Sequence, residues 1–216
     1  MSPAEMELLR DGAKELGIEL SDSELDRFRL FTDELLRWNA KLNLTALTDP
    51  RDIIVKHYLD SLTINSSLPL GASLLDFGSG AGFPCLPLKI VRHDLDLLSV
   101  DSVQKKINFQ RQVSRLLGLE RFKALHTRVE ALAKEGGRFD FVVARAVADV
   151  AVLARLGAPF LAENGRLIAM KGSRWREEIV EAGRELDELG LAVIETRELR
   201  LPITGDERGI VIIGRK

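Results

Sequence analysis

The hydrophobic rhythm of the chain changes once, near residue 70. Before that point apolar positions recur at helical spacing. Ser2-Pro3-Ala4-Glu5 has the form of a capping box with Pro at the first helical position, which predicts a helix that stops at Gly17. Ser21-Asp22-Ser23-Glu24 repeats the box, and Leu25, Phe28, Phe31, Leu35 and Trp38 follow on one helical stripe. Asp49-Pro50 predicts the start of a third helix carrying Ile53, Ile54, His57, Tyr58 and Ser61-Leu62, and SSLPLGAS (66–73) breaks it off. Beyond the break, short apolar runs read as strands at Ser73–Phe77, Asp96–Val100, Phe122–His126, Phe139–Val143 and Arg166–Met170. Helical patterns lie between them at about 84–92, 103–117, 129–135, 148–161 and 174–189. Strand–helix alternation predicts right-handed crossovers and a parallel sheet covered on both faces. The last two runs, Leu191–Arg197 and Gly209–Ile213, have no helix between them and predict an antiparallel pair at the sheet edge.

Composition narrows the class. With 45% hydrophobic and 30% charged residues in 216, the chain can build a sizeable core and an ordinary solvated surface. The single Cys85 excludes a disulfide framework and fits a reducing cytosol. The opening MSPAEMELLRDG lacks a basic stretch followed by an apolar one, so no signal peptide is expected. Nor does any stretch approach the roughly 18 apolar residues of a membrane span. These features predict a soluble cytoplasmic protein without a membrane partner. The net charge of −2 argues against sequence-blind nucleic-acid binding. Residues 1–70 hold 8 Lys and Arg against 13 Asp and Glu, and residues 71–216 hold 23 against 20, so a polyanion would meet the second part through a local patch.

The chemistry concentrates in SLLDFGSGAGFPCLPLKI (73–90). The first strand ends at Phe77 and leaves through Gly78-Ser79-Gly80-Ala81-Gly82. Glycines allow backbone angles and a ligand approach that a Cβ blocks. A dinucleotide fingerprint fails here, because Phe83 holds the position of its third glycine. Asp76, two residues before the first glycine, would also oppose a pyrophosphate dianion. S-adenosyl-L-methionine, with a sulfonium, an ammonium and a carboxylate but no phosphate, suits that acid better. The next strand leads to Asp101, 25 residues after Asp76, where a carboxylate can accept both ribose hydroxyls. The alternative is a tight strand-to-helix turn with a solvated Asp. No Cys/His cluster has metal-ligand spacing, so no metal is expected.

LLDFGSGAGFPCLPLKI, VDSVQKKINF (100–109), TRVEAL (127–132) and ARAVA (144–148) together resemble the glucose-inhibited division protein B family. These are bacterial 7-methylguanosine methyltransferases of small-subunit (16S) ribosomal RNA. WNAKLNLTALTDPRDIIVKHYLDSL (38–62), notably Asn43-Leu44-Thr45, His57 and Asp60-Ser61-Leu62, is similar as well, and so is the terminal LP…ER…VIIGRK; the likeness runs from about 20 to 216. It implies an α/β fold: a class I, Rossmann-like methyltransferase with a mostly parallel seven-stranded sheet and an antiparallel edge over 71–216, and an N-terminal helical extension over 1–70. Gly78, Ser79, Gly80 and Gly82, with Phe83, would carry the methionine end of S-adenosyl-L-methionine; Asp76 would organise the turn, Asp101 would hold the ribose, and Val129 and Glu130 would contact the adenine. Glu130 could equally be an ordinary acid in a first helical turn.

Arg145, after the fourth strand, stands where class members face the methyl and the substrate, so the resemblance implies that it contacts S-adenosyl-L-methionine as well as positioning the reacting base. No Asn/Asp-Pro-Pro-aromatic element or Pro-Cys nucleophile occupies that place, which disfavours exocyclic-amine and pyrimidine C5 methylation. Cys85 reads as a small apolar packing residue. Arg145, Arg128 and Lys171 are expected to position RNA phosphate or guanine O6, with Arg145 alternatively an ion-pair partner of Asp140 or Glu130. Lys105, Lys106, Arg111, Arg115, Arg121, Lys123, Lys171, Arg174 and Arg176 would form a basic patch around the mouth, or simply the polar outer faces of helices. His57 either faces the cofactor cleft or is a satisfied, partly buried histidine. The expected partner is 16S ribosomal RNA within the small subunit, met by a monomer. A methyltransferase of another substrate, or a non-catalytic ribosome-assembly factor, are the competing readings.

Overall fold

A computed structural model describes residues 1–134, 136–145 and 149–216. Both capping boxes form. The Ser2 hydroxyl accepts from the Glu5 amide to open α1 (Pro3–Glu15), and Ser21 does the same with Glu24 for α2 (Asp22–Leu42). Asn43 ends α2 in the left-handed region. Asp49 caps α3 (Pro50–Ile53) as predicted, but that helix does not continue regularly. It widens into a π-helical segment (Ile54–Leu59) before a last α turn, α4 (Asp60–Leu62). Widened turns of this kind are rare and recur at functional sites.

The strands β1 (Ser73–Phe77), β2 (Asp96–Asp101), β3 (Phe122–His126), β4 (Phe139–Arg145), β5 (Leu161–Lys171), β6 (Leu191–Arg200) and β7 (Glu207–Arg215) form one sheet in the order β3-β2-β1-β4-β5-β7-β6. β1 to β5 are parallel neighbours, and β7 runs antiparallel between β5 and β6. The terminal pair therefore sits on the edge side as expected, with β6 outermost and β7 interior. The connecting helices are α5 (Cys85–Val91), α6 (Gln104–Leu116), α7 (Val129–Leu132), α8 (Val150–Gly157) and α9 (Trp175–Glu188). The predicted helix ends at Glu135 and Ala148, and Ala146–Ala148 of ARAVA, lie outside the described residues.

Alternate side chains of each strand feed two cores, as the period-2 geometry of a strand requires. Leu74, Leu97, Val143 and Ile168 face the side covered by α5 and α6, and there they share one apolar cluster with Leu9, Phe28, Phe31, Leu35 and Tyr58 of the N-terminal helices. Leu75, Val142, Leu167 and Val211 face α8 and α9. Each fully buried Leu or Phe contributes about 1.5–3 kcal/mol. Within the first core the Tyr58 ring lies 5.0 Å from Phe28 and 5.4 Å from Phe31, and its hydroxyl lies 2.8 Å from the Thr32 hydroxyl. That shared core clamps the segment 44–60 against the carboxyl ends of the strands, where the order reverses between β1 and β4.

Candidate active site

Register sets the site. Phe77 pairs Val100, so the chain leaves β1 beside Asp101 at the end of β2. Arg145 pairs Met170 at the end of β4, and Lys171 pairs Gly209 on β7. Open α/β sheets bind ligands at such a reversal. The glycine turn is tied down through its backbone: Gly78 and Ser79 donate to the Val100 carbonyl at 2.8 and 3.3 Å, and Phe83 donates to that of Ser79 at 2.8 Å. Gly78, Gly80 and Gly82 all hold positive φ, at 69°, 61° and 94°. The last two differ in what surrounds them. A Cβ on Gly82 would come within 2.4 Å of Leu86 Cδ1, whereas one on Gly80 would meet nothing within 4 Å. Gly82 is needed for packing; Gly80 borders open space that a ligand can enter.

Beneath the turn, a buried polar set braces it. The Ser79 and Ser99 hydroxyls lie 2.6 Å apart, and the Gln110 amide donates to Ser79 Oγ and to the Gly80 carbonyl, each at 2.8 Å. Gln110 on α6 was not singled out from the sequence, although it stands on the stripe of Ile107 and Val113, where a polar residue breaks the apolar pattern. Asp101 accepts from the Gly80 amide at 2.9 Å on Oδ2 and from Val103 at 2.8 Å on Oδ1, leaving a lone pair on each oxygen. It lines a cleft of about 350 Å³ with Phe77, Gly78, Thr127, Val129 and Glu130. Val129 is buried and Glu130 exposed. The cleft, the open side of Gly80 and the free acceptors of Asp101 together fit a nucleoside.

Asp76 is fully buried. Its Oδ2 accepts from the Cys85 amide at 3.2 Å, and its Oδ1 has no partner among the described residues. Burial pushes its pKa up to about 7 from the ordinary 3.8, and pushes the Cys85 thiol up as well. The folded chain thus binds a proton that the unfolded chain releases, so stability falls as pH rises from about 4 to about 7 and stays lower above. Asp76→Asn removes that slope. In urea unfolding without cofactor it is expected to match wild type at pH 4 and to exceed it at pH 8 by on the order of 2–4 kcal/mol. Equal stability of the two proteins at pH 8 would contradict a raised pKa of Asp76.

Arg145 stands between two further hollows. One, of about 150 Å³, is lined by Leu44, Thr45, His57, Gly78 to Ala81, Phe83 and Arg145. The other, of about 400 Å³, is lined by His57, Asp60, Arg145, Met170, Lys171, Arg208 and neighbours. The expected partners of Arg145 need correction: Asp140 accepts from the Ser73 amide and hydroxyl instead, and Glu130 lies in the other cleft. Arg145 donates to the Lys56 carbonyl at 2.8 Å, Asp60 Oδ2 at 2.9 Å and His57 Nδ1 at 3.0 Å. All three acceptors come from the π-helical segment and the turn after it. His57 stacks on Phe83 with centroids 4.1 Å apart, and its Nε2 lies 2.8 Å from the Thr45 hydroxyl. Since Arg145 can only donate, Nδ1 accepts and Nε2 carries the proton. Burial, aided by the Arg145 charge, lowers the His57 pKa to about 3 and keeps the ring neutral. His57 thus lines both hollows, and each of its ring nitrogens has a partner.

The basic patch does not assemble as expected. Arg121 precedes β3 at the amino end of the sheet and donates to the Asp94 carbonyl; Lys123 and Arg115 also lie away from the mouth. Arg111 donates to the Ala124 carbonyl and Lys105 to that of Leu42. Arg174 pairs Glu177, and Arg176 pairs Glu198 and Glu207. Lys106 lies 4.0 Å from Asp101, and Lys171, buried, pairs Glu178 at 2.8 Å. The strands end at one rim, but most of these side chains spread along helix flanks. Among the described residues, no group of three or more His, Cys, Asp or Glu is placed to hold a metal, and no helix is long and apolar enough to cross a membrane.

Comparison with known proteins agrees with this geometry. Solved structures with the same fold include the M1A22 tRNA methyltransferase TrmK of B. subtilis (TM-score 0.59, 16% identity, 75% of this chain and 68% of that one). The ribosomal protein L11 methylase of Lactobacillus delbrueckii subsp. bulgaricus is another (TM-score 0.57, 19% identity, 74% and 79%). Both are methyltransferases by name, and the class I methyltransferase fold is thereby established. In sequence, the chain is 48% identical over 210 residues to the ribosomal RNA small subunit methyltransferase G of Geobacter sp. (strain M21), covering 97% of each chain. It is 46% identical over 214 residues to that of Geotalea uraniireducens (strain Rf4), covering 99% of this chain and 98% of the relative. A family model described as GidB, rRNA small subunit methyltransferase G, matches residues 24–203, and the chain belongs to that family.

Proposed function

We propose that this chain transfers a methyl group from S-adenosyl-L-methionine to N7 of a guanine in 16S ribosomal RNA. It acts as a cytoplasmic monomer on RNA within the small subunit, with 71–216 as the methyltransferase domain and 1–70 as its helical extension. The observation that carries the reading is the position of Arg145. It borders both the hollow beside the glycine turn and the larger hollow beyond, in a chain whose relatives are named small-subunit rRNA methyltransferases.

When bound, S-adenosyl-L-methionine supplies a methyl group on a sulfonium, which an in-plane nitrogen lone pair can accept. Gly78, Ser79, Gly80 and Gly82, with Phe83, would hold its methionine end, with Asp76 organising the turn; Asp101 would accept the ribose hydroxyls, and Val129 and Glu130 would contact the adenine. Guanine N7 has no proton to lose, so no side chain has to serve as a base, and alignment is the main task of the protein. Arg145 and Lys171 align the base and its backbone. His57, held neutral, adds no positive charge where the methylated purine becomes cationic.

The test is transfer of labelled methyl to small subunits from cells lacking this protein, with the label mapped by the strand cleavage that N7-methylguanine permits. Label at one guanine is the expected result. Cofactor binding without label would overturn the substrate, and absence of cofactor binding would leave an assembly factor.

A further inference from the structure

The hollow of about 400 Å³ beyond Arg145 is of the size that encloses small ligands, and its composition is uneven. Leu47, Met170 and Ile210 supply apolar wall. Into this surface is set one acid, Asp60, held between two arginines from different parts of the fold. Arg145 Nη1 from β4 donates to its Oδ2 at 2.9 Å, and Arg208 Nε from β7 donates to its Oδ1 at 2.9 Å. The Asp60 side chain is only 10% exposed. A carboxylate offers about four lone-pair positions, and each oxygen here has used one on an arginine. One acceptor therefore remains on each oxygen, side by side, in a pocket whose other polar groups are largely donors.

We infer that this hollow receives the target guanine out of its stack and that Asp60 is the residue that specifies guanine, accepting from N1–H and the N2 amino group. The inference rests on the methyl acceptor being guanine, as proposed above. The array matches base by base. In guanine, O6 lies between N7 and N1–H along one side of the ring. Arg145 borders both hollows, so a base presenting N7 toward the glycine turn brings O6 to its guanidinium and N1–H to the adjacent Asp60. Adenine reverses both groups: its amino group would face arginine donors, and its unprotonated N1 would face the carboxylate. An unpaired buried donor or acceptor costs about 1–3 kcal/mol each, so both mismatches favour guanine. Aliphatic walls cover the faces of the ring, and Arg208, by holding Oδ1, orients the carboxylate without touching the base. The extruded geometry is what chemistry on an edge inside a folded RNA requires.

The test uses small subunits from cells lacking the protein, rebuilt with a synthetic 16S segment carrying either guanosine or inosine at the mapped position. Inosine keeps N7, O6 and N1–H and lacks only the N2 amino group. Wild-type protein is expected to show a kcat/KM about 10- to 100-fold lower on inosine, the range for one hydrogen bond to a charged group. Asp60→Asn should be slower on guanosine with cofactor affinity within about 2-fold of wild type, and its guanosine preference should collapse below about 3-fold. Asp60→Glu, which keeps the carboxylate, should retain a preference at reduced rate. Equal rates of wild type on both bases, or an unchanged preference in Asp60→Asn, would overturn the inference and leave the hollow as a phosphate site between two arginines. Should Asp60→Asn fail to fold, the wild-type ratio alone decides. A wild-type protein that labels no guanine N7 fails the functional reading itself, which is a different outcome.

Discussion

Arg145→Ala is expected to lower kcat/KM for methyl transfer by at least about 100-fold while cofactor affinity changes less than about 3-fold. The first half follows from its position. The guanidinium borders both hollows, lies 5.3 Å from the centre of the Phe83 ring, and is the group that joins His57, Asp60 and the Lys56 carbonyl to the end of β4. Its removal frees the wall of the pocket opposite the glycine turn, and misplacement of a reacting base by about 1 Å costs on the order of 100-fold. The second half follows from the cleft proposed to take the ribose and adenine, which is lined by the ends of β1 and β2, the loop after β3 and α7, without Arg145. Truncation also strands His57 Nδ1 and leaves Asp60 with Arg208 alone. Unfolding in urea should therefore show a loss of roughly 2–4 kcal/mol, the scale of a broken buried ion pair. Arg145→Lys preserves charge but cannot reach three acceptors from one planar fork, so it should recover little of the rate. Activity of Arg145→Ala within a few-fold of wild type would remove Arg145 from the mechanism.

The second large effect separates two glycines two residues apart. Gly82→Ala must accept an alanine at φ 94° and a Cβ only 2.4 Å from Leu86 Cδ1 and 2.7 Å from Leu86 Cγ. Backbone strain and overpacking each cost about 1–3 kcal/mol, so this variant should lose roughly 3–5 kcal/mol of stability. Gly80→Ala, at φ 61° with nothing within 4 Å of the new methyl, should lose only about 1–2 kcal/mol. Its methyl instead fills the space that the cofactor is proposed to enter, so cofactor affinity should fall by more than about 10-fold. Calorimetric titration with S-adenosyl-L-methionine and urea unfolding distinguish the two. Undiminished binding by Gly80→Ala would move the cofactor away from this turn.

The legible parts of the chain were those governed by short-range rules. Both capping boxes are contained within four consecutive residues, and both formed with the predicted bonds. The strands from Ser73 to Val143 were found within two residues, because each is a short, largely apolar run. β5 was found only in its apolar half, since it starts at Leu161, where a helix reaching 161 was expected, and its first half, AENG, carries no apolar pattern. The glycine turn and Asp101 were readable for a similar reason: a loop that turns sharply at a strand end, and an acid at the end of the next strand, are set by spacing along the sequence. The π-helical segment at Ile54–Leu59 left no such sign, because IVKHYL suits a regular helix equally well. The partners of Arg145 were misread for want of the third dimension. Asp140 and Glu130 are near in sequence, whereas Asp60 is 85 residues away and is brought in by the shared apolar core. Asp60 and Arg208 both lay in stretches that resemble the family, yet nothing in either stretch predicted that they would meet.

By itself, then, the sequence determined the order and type of elements, the sheet that the strand–helix alternation demands, and the turn over which a nucleoside can lie. These depend on residues within one or two turns of each other, where backbone sterics and hydrogen-bond bookkeeping leave few choices. Only the tertiary structure decided that the N-terminal helices close one side of the site, that His57 stays neutral, and that Asp60 sits between Arg145 and Arg208. Those outcomes depend on burial and on charges brought together from 60, 145 and 208, and neither quantity exists until the core that Phe28, Phe31 and Tyr58 share with the sheet has formed.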